Sequence, residues 1–365
     1  MNNDNARVKS INEDYSNAQS VKCSSCGANM VFDPDNQTLL CNHCGNKEDI
    51  KQRGNAVELS LEKGLMTSAQ WDDDGVSIVK CGNCGAEIVL TKNQTATRCP
   101  FCATAYVSKS EQLAGLKPNG IVSFKFSLDK AVELSKLWAK RRLYAPRKFK
   151  KNLSTQNVNG VYVPCFTFDS YTTSSYSGKI GNTYTKRVGS GKNARTVTYT
   201  EWRYISGTYY GNFDDVLISA GEKLNQSKLD KISPFGTNNA KQYDEDYMLG
   251  FVAYHYDKDV KDCWGDAKSI MDKALKRAIL SQYVYDKVAY LNVSTIHENA
   301  SFKYEMLPVY VGNFRYTNKL YNFYVNGETG KVWGKTPKSV YKILITILLS
   351  LGLVGLVIWL FMNGG

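Results

Sequence analysis

Several residue patterns on which enzymes depend are scarce or missing in this chain of 365 residues, which contains only three histidines. Neither the G-x-S-x-G pattern of serine hydrolases nor the H-E-x-x-H pattern of zinc peptidases occurs. The segment 189–192 (GSGK) resembles part of a phosphate-binding loop. However, Lys186 stands where that loop needs glycine, and Asn193 stands where it needs serine or threonine. We therefore predict that the protein is not an enzyme.

A secretory signal is also missing, since residues 1–20 are polar and contain no apolar core segment. We predict a flexible leader there and a cytoplasmic, reducing location for the main part of the chain. In such a compartment cysteines bind metal more often than they form disulfides.

Eight of the ten cysteines form two copies of one pattern. In each copy two C-x2-C pairs are separated by fourteen residues, and the copies are offset by 58 residues. Two such turns brought together by a short hairpin form the tetrahedral sulfur site that zinc prefers. We predict two zinc ribbons, at 21–46 and 79–107, joined by a linker at 47–78, with two zinc ions in all. The predicted ligands are Cys23, Cys26, Cys41, Cys44, Cys81, Cys84, Cys99 and Cys102.

Four thiolates fill the zinc coordination shell, which indicates a structural rather than a catalytic metal. An iron–sulfur or redox role is the alternative, and His43 is an alternative ligand beside Cys44. We expect the second ribbon to have a core separate from the rest of the protein. The remaining two cysteines, Cys165 and Cys263, lie in apolar or aromatic surroundings and are predicted to be buried, unreactive thiols.

The region 118–337 has the pattern of an antiparallel α+β body. One helix is predicted from an N-cap at Ser127 to about Arg142, and a second one over 264–282, where apolar residues recur at helical spacing. Strands are predicted at 121–126, 158–213, 306–316 and 320–325, with a hairpin loop at 189–193.

The positive charge is concentrated in one region. The chain has a net charge of +12, and positions 117–203 alone hold 17 Lys and Arg against four Asp and Glu. This charge is suited to anionic lipid or nucleic acid, or it is a solvated face without a partner. Within the region, 136–151 and the hairpin 179–203 are the two candidate anionic-surface segments. The residues predicted to bind an anionic surface are Lys140, Arg141, Arg142, Arg147, Lys148, Lys150 and Lys151.

The C-terminal segment is apolar. Residues 343–361 carry no charge over 19 positions, which is nearly enough for a hydrocarbon core of roughly 30 Å. Tyr341 and Trp359 lie near its ends, and several lysines precede it. We predict a transmembrane helix over 341–361 in a single-pass cell-membrane protein whose N-terminal body is cytoplasmic.

Taken together, these features resemble a bacterial family of membrane proteins with paired TFIIB-type zinc ribbons, often mislabelled as primosomal replication-factor-Y helicases. The resemblance covers most of 20–337 and is carried by 81–88 with 98–102, 116–125, 160–166, and 307–310 with 326–334. Ser123 and Cys165 depart from it, where proline and a bulky apolar or aromatic residue are expected. The resemblance implies partnership with SPFH-type and phage-shock-A-type proteins in envelope stress, and no catalysis.

Two functions follow from these observations. The first is a membrane-anchored zinc-ribbon adaptor that docks protein partners at the cytoplasmic membrane face. The second is a membrane-tethered nucleic-acid-binding protein, in which Tyr184, Tyr199, Trp202 and Tyr204 stack on bases between basic residues. Against the second, alternating aromatic residues in a hairpin usually form its packed face.

Overall fold

The computed structural model describes residues 21–51, 53–66, 77–90, 98–104, 110–112, 116–151, 153, 158–317 and 319–363. The predicted leader and parts of the predicted linker and second ribbon lie outside these residues. The predicted fold class is confirmed. The chain has two four-cysteine clusters near its N-terminus, a mixed body of helices and mainly antiparallel strands, and one C-terminal apolar helix.

The described strands are β1 (Met30–Asp33), β2 (Thr38–Cys41), β3 (Lys47–Asp49), β4 (Leu59–Ser60), β5 (Ser77–Lys80), β6 (Glu87–Leu90), β7 (Ser110–Gln112), β8 (Gly120–Ile121), β9 (Val158–Val188), β10 (Arg195–Ser219), β11 (Lys241–Gln242), β12 (Val252–Tyr254), β13 (Lys287–Tyr316), β14 (Lys319–Asn326) and β15 (Val332–Gly334). The described helices are α1 (Leu61–Met66), α2 (Leu128–Lys140), α3 (Arg147–Lys151), α4 (Gln226–Ile232), α5 (Val260–Ser281) and α6 (Val340–Asn363).

Helix boundaries follow local capping. Ser127 occupies the N-cap position of α2, as predicted, but its side chain forms no capping hydrogen bond. Helix α5 begins four residues before its predicted start because the Asp259 side chain caps it, accepting a hydrogen bond of 2.8 Å from the N–H of Asp262. The predicted loop at 189–193 joins β9 to β10.

The longest elements are three antiparallel strands in the order β10-β9-β13, with 25, 31 and 30 residues. Strand β13 begins at Lys287, so the predicted strand at 306–316 is only its second half. We call residues 170–213 and 287–298 the arm. In the arm, the outer edges of β10 and β13 pair with no further described strand. The arm is thus a three-stranded ribbon with two open edges.

Two β-bulges lie between the arm and the body. One interrupts β10 between Phe213 and Val216, and the other interrupts β13 between Glu298 and Ser301. Because both strands flank β9, the two irregularities face each other across Asp169 of that strand. Bulges increase local twist and redirect side chains, so side chains from different strands can come together at this junction.

Helix α5 covers one face of the arm and of the adjoining sheet. Its buried residues recur every four positions, which makes one continuous apolar stripe: Cys263, Ala267, Met271, Leu275 and Ile279. Ile279 packs with Tyr176, Ile180 and Ile205 of the arm. Cys165 and Cys263 are both fully buried, as predicted.

The second ribbon is part of the body sheet. Strand β6 pairs with β12, placing Val89 opposite Ala253, and β12 runs parallel to β9. Cys81, Cys99 and Cys102 belong to one hydrophobic cluster with body residues such as Val163 and Leu307. The expectation of a separate core is therefore wrong. A ribbon hairpin buries little apolar surface alone, and pairing its open edge with the body buries Ile88 and Val89.

The first ribbon, the sheet β1-β2-β3, also packs on the body. The Phe32 ring lies 5.3 Å from that of Tyr247 and 6.3 Å from that of Phe251. The Phe32 N–H donates to the carbonyl of Leu249 at 3.0 Å. Both cysteine clusters therefore pack on the body, the first through one hydrophobic cluster and the second through another.

Helix α6 has 24 residues, carries no charge after Lys342, and buries none of them against the protein. Of the described helices, it alone is long and apolar enough to cross a membrane. This agrees with single-pass anchoring and extends the predicted span, 341–361, by one residue at its start and two at its end.

Candidate functional site

The cysteines of the first predicted ribbon converge on one point. Cys23 Sγ lies 3.5 Å from Cys44 Sγ, and Cys26 Sγ lies 3.5 Å from Cys41 Sγ. All four sulfur atoms lie within 4.8 Å of one another. The ligand group consists of the four cysteines, and His43 is an exposed neighbour outside it.

The second cluster has the same geometry. Cys81 Sγ and Cys102 Sγ are 3.6 Å apart, as are Cys84 Sγ and Cys99 Sγ. Four sulfurs at about 2.3 Å from a central zinc, in tetrahedral positions, would be separated by about 3.8 Å. The observed separations fit a metal ion of that size in both clusters, and the all-thiolate donor set is typical of structural zinc.

Each C-x2-C pair forms the same backbone turn. The residue four positions after the first cysteine donates its N–H to that cysteine's carbonyl at 2.8–2.9 Å and adopts a positive φ. Glycine fills this position three times, as Gly27, Gly45 and Gly85. In the fourth turn it is Ala103, with φ of 60°. A side chain makes this conformation costly, so the last turn is the strained one.

The turns also favour ionised sulfur. Burial acts to raise the pKa of Cys23, but hydrogen bonds from the backbone N–H groups of Ser25 and Cys26 outweigh it and lower that pKa to about 6. In the second cluster burial likewise opposes ionisation of Cys102, and the side chain and backbone of Thr104 lower its pKa to about 6. Each cluster thus offers a thiolate, the form that binds zinc, at neutral pH.

The two clusters differ in exposure. Cys26 and Cys44 of the first cluster are exposed, whereas three of the four cysteines in the second cluster are buried. Burial raises the pKa of Cys99. The second site is therefore enclosed by the body, and the first faces outward.

The structure separates the two halves of the predicted basic region. Most of 140–151 forms the corner between α2 and α3, whereas 179–203 lies at the hairpin end of the arm. Strand β9 connects the two over 31 residues, a contour length of roughly 100 Å. One continuous anionic ligand of modest size therefore cannot cover both halves.

At the corner the predicted residues are mostly solvent-facing. Exposed ones are Lys140, Arg141, Arg142, Arg147 and Lys148. Lys150 is half-buried and donates to the carbonyl of Lys140 at 3.1 Å, while the Lys151 side chain lies outside the described part. Burial, and then the nearby charge of Lys342, lower the pKa of Lys150. Positive charge is thus crowded beside the start of α6.

Sequence reasoning missed a charged cluster at the two bulges. Carboxylate oxygens of Glu58, Asp169 and Asp214 lie within 4.8 Å of one another. Beside them, the Lys303 ammonium lies 2.6 Å from Asp215 and 3.8 Å from the fully buried Glu305. The sequence indicates this cluster only weakly. Asp214 and Asp215 are adjacent acids in an aromatic-rich strand, and the spacing of Lys303 and Glu305 puts both side chains on one face of β13.

Two carboxyl groups of this cluster have pKa values raised to near neutral pH. Burial, followed by the hydrogen bond with Glu58, raises the pKa of Asp169 to about 7. Burial also raises the pKa of Glu305 to about 8, against the opposing charge of Lys303. Titratable groups therefore lie at the junction of arm and body.

Comparison with known proteins gives one extended similarity. The chain is 27% identical over 326 residues to the uncharacterized protein YdjG of Bacillus subtilis (strain 168), which is 89% of this chain and 92% of that protein. Similarity of this extent cannot be confined to the cysteine-rich segments or to the C-terminal helix. No family model and no solved structure matches the chain.

Proposed function

We propose that this protein is a membrane-anchored zinc-ribbon adaptor that docks protein partners at the cytoplasmic face of the membrane. Each cluster would hold one zinc ion in a closed shell of four thiolates, which stabilises the fold and leaves no position for a reacting water. The partner class is the one implied by the family resemblance, SPFH-type and phage-shock-A-type proteins in envelope stress.

The observation that carries the proposal is the arm with its open edges. Unpaired strand edges readily accept a further strand from another chain. The face of the arm opposite α5 carries large exposed side chains, among them Tyr204 and Tyr210, which are 74% and 75% exposed. In the register, Tyr204 lies opposite Lys179 and Tyr210 opposite Thr173, so this face is polar and aromatic with little charge. Such a surface suits a protein partner.

The proposed orientation rests on charge. Lys331, Lys335, Lys338 and Lys342 precede the apolar run on the side of the body. Under the positive-inside rule this leaves the body in the cytoplasm.

A nucleic-acid role is the second candidate, and exposure favours it. Tyr184, Tyr199, Trp202 and Tyr204 are all at least 41% exposed, so they are not the packed face of the hairpin. However, the register pairs Tyr184 with Tyr199, whereas Trp202 and Tyr204 lie at even positions of β10, on the opposite face. A stacking platform needs its rings on one face, and this division argues against it.

The test is affinity purification of the full chain from solubilised membranes, with and without nuclease. The adaptor proposal expects a protein partner to be retained after nuclease, and to be lost when Tyr204→Lys and Tyr210→Lys are combined. Val284→Lys is the matched control, because Val284 is equally exposed but lies between α5 and β13. Loss of the bound material on nuclease treatment alone would favour the second candidate.

A further inference from the structure

The corner between α2 and α3 is fastened to the beginning of the membrane helix. The N–H of Ser339 donates to the carbonyl of Tyr144 at 2.8 Å. The Lys342 ammonium donates to the carbonyls of Ala145 at 2.7 Å and Leu143 at 3.3 Å. The charge-free run begins at the very next residue, Ile343. The corner is therefore held at the level where the helix enters the bilayer.

Packing keeps the corner in this position. The Phe149 ring of α3 lies 5.0 Å from that of Phe314 in β13, and the Trp138 ring of α2 lies 5.9 Å from that of Phe323 in β14. Both contacts are made by buried side chains. The corner is thus a rigid part of the body rather than a free loop.

The chemistry of the corner matches the boundary between lipid headgroups and acyl chains. Positions 140–151 contain seven basic residues and no acid. Among the described residues, none of the five exposed ones forms an ion pair with a carboxylate. In their midst Leu143 is 67% exposed, and Leu137 on α2 is 45% exposed. Apolar side chains ringed by cations are typical of surfaces that lie on anionic membranes.

We propose that the α2–α3 corner is a docking surface for an anionic phospholipid leaflet. Leu143 enters the boundary between headgroups and acyl chains, and Arg141, Arg142, Arg147 and Lys148 contact lipid phosphates. The phosphates also screen the repulsion between Lys150 and Lys342. Helix α6 tethers the body, and the corner fixes how the body and arm are oriented over the bilayer. This proposal concerns lipid and does not depend on the adaptor role.

The test uses the full chain in nanodiscs, made of phosphatidylcholine alone or of equal parts phosphatidylcholine and phosphatidylglycerol. Each disc contains a trace of the matching lipid with a photoactivatable group near its headgroup, and crosslinked peptides are mapped by mass spectrometry. We expect crosslinks to the peptide that contains Leu143 with the anionic probe, decreasing as salt is raised. Each basic residue near an anionic surface strengthens binding to that surface by roughly a factor of five.

Variants decide the outcome. Combining Lys140→Gln, Arg141→Gln and Arg142→Gln should reduce binding of the corner to the anionic leaflet by about a hundredfold. Leu143→Asp, at an exposed position, should also abolish the crosslinks. The matched control is Lys186→Gln, Arg187→Gln and Arg195→Gln, the same charge change at exposed positions of the arm, and it should crosslink like wild type. Unchanged zinc content verifies folding of every variant.

Three results would overturn the proposal. One is equal crosslinking of the corner with both lipid probes. Another is crosslinking confined to α6. The third is displacement of the lipid crosslinks by single-stranded RNA at physiological salt, which would assign the corner to nucleic acid instead.

Discussion

Phe101 packs its ring 5.0 Å from that of Tyr254, and this contact joins the second metal cluster to the body. Phe101 lies between the ligands Cys99 and Cys102, whereas Tyr254 belongs to β12, the strand that links the ribbon to β9. Both side chains are buried. We therefore expect a metal ion at this cluster to stabilise the body sheet as well as the ribbon.

The first prediction concerns metal content. Because both clusters hold four sulfurs within 4.8 Å of one another, freshly purified protein should contain two zinc ions per chain. Elemental analysis of the detergent-solubilised full chain measures this directly. A Cys263→Ala variant, which removes a buried thiol outside both clusters, should keep the same zinc content. One ion or none per chain would contradict the assignment.

The second prediction concerns the coupling between the second cysteine cluster and the stability of the body. Cys99→Ser should lower the stability of the whole body by several kcal/mol, since the cluster shares one core with Val163 and Leu307. Thermal unfolding of α5 and the arm, followed by circular dichroism, is the measurement. A ribbon with its own core would lose its zinc while the body kept its wild-type melting temperature, and that result would contradict the coupling.

The third prediction concerns the strained turn. Ala103→Gly should stabilise the second ribbon by about 0.5–1 kcal/mol, because glycine adopts the φ of 60° without a side-chain clash. Zinc release to a chelator in increasing denaturant should shift to higher concentration. Ala86→Gly is the control: Ala86 is fully buried and is not among the residues with positive φ, so this change should destabilise the same ribbon.

The fourth prediction concerns pH. Glu305 has its pKa raised from 4.5 to about 8 in the folded protein, mainly by burial. The folded state holds this proton more tightly than the unfolded chain, so the contribution of Glu305 to stability is fully present below pH 4.5 and is lost as pH rises to about 8. The expected slope is roughly 1 kcal/mol per pH unit. Glu305→Gln should reduce this slope and leave the part that comes from the raised pKa of Asp169, as measured by denaturant unfolding at pH 5 and pH 8. Glu201→Gln, at an exposed site on β10, should retain it.

The fifth prediction concerns the anchor. Removing residues 340–365 should release the protein from the membrane fraction, because α6 is the one described helix that can span a bilayer. In intact cells, externally added protease should leave the body uncut if the lysines before α6 keep it cytoplasmic. Cleavage of the ribbons from outside would reverse the proposed orientation, even if membrane anchoring held.

Strand β13 illustrates where sequence patterns fail. Its second half, from about 306, is an apolar run bounded by turns, and this predicts a strand. The face of its first half opposite α5 is exposed and mixes polar residues with Tyr290 and Ile296, and a bulge at 298–301 shifts the alternation by one position. The period-two signal is therefore interrupted, and the sequence pattern does not predict that residues 287–305 belong to the strand.

The sequence alone predicted the two four-cysteine clusters and the apolar C-terminal helix, because both depend on local chemistry. A C-x2-C turn is formed by consecutive residues, and a run of 19 charge-free positions indicates a membrane helix whatever the rest of the chain does. Tertiary structure decided the features that join distant segments. The pairing of β6 with β12, the carboxylates gathered at the two bulges, and the contact of Lys342 with Ala145 each connect residues that are far apart in the sequence. Such pairings depend on sheet register and side-chain packing, which no local pattern encodes.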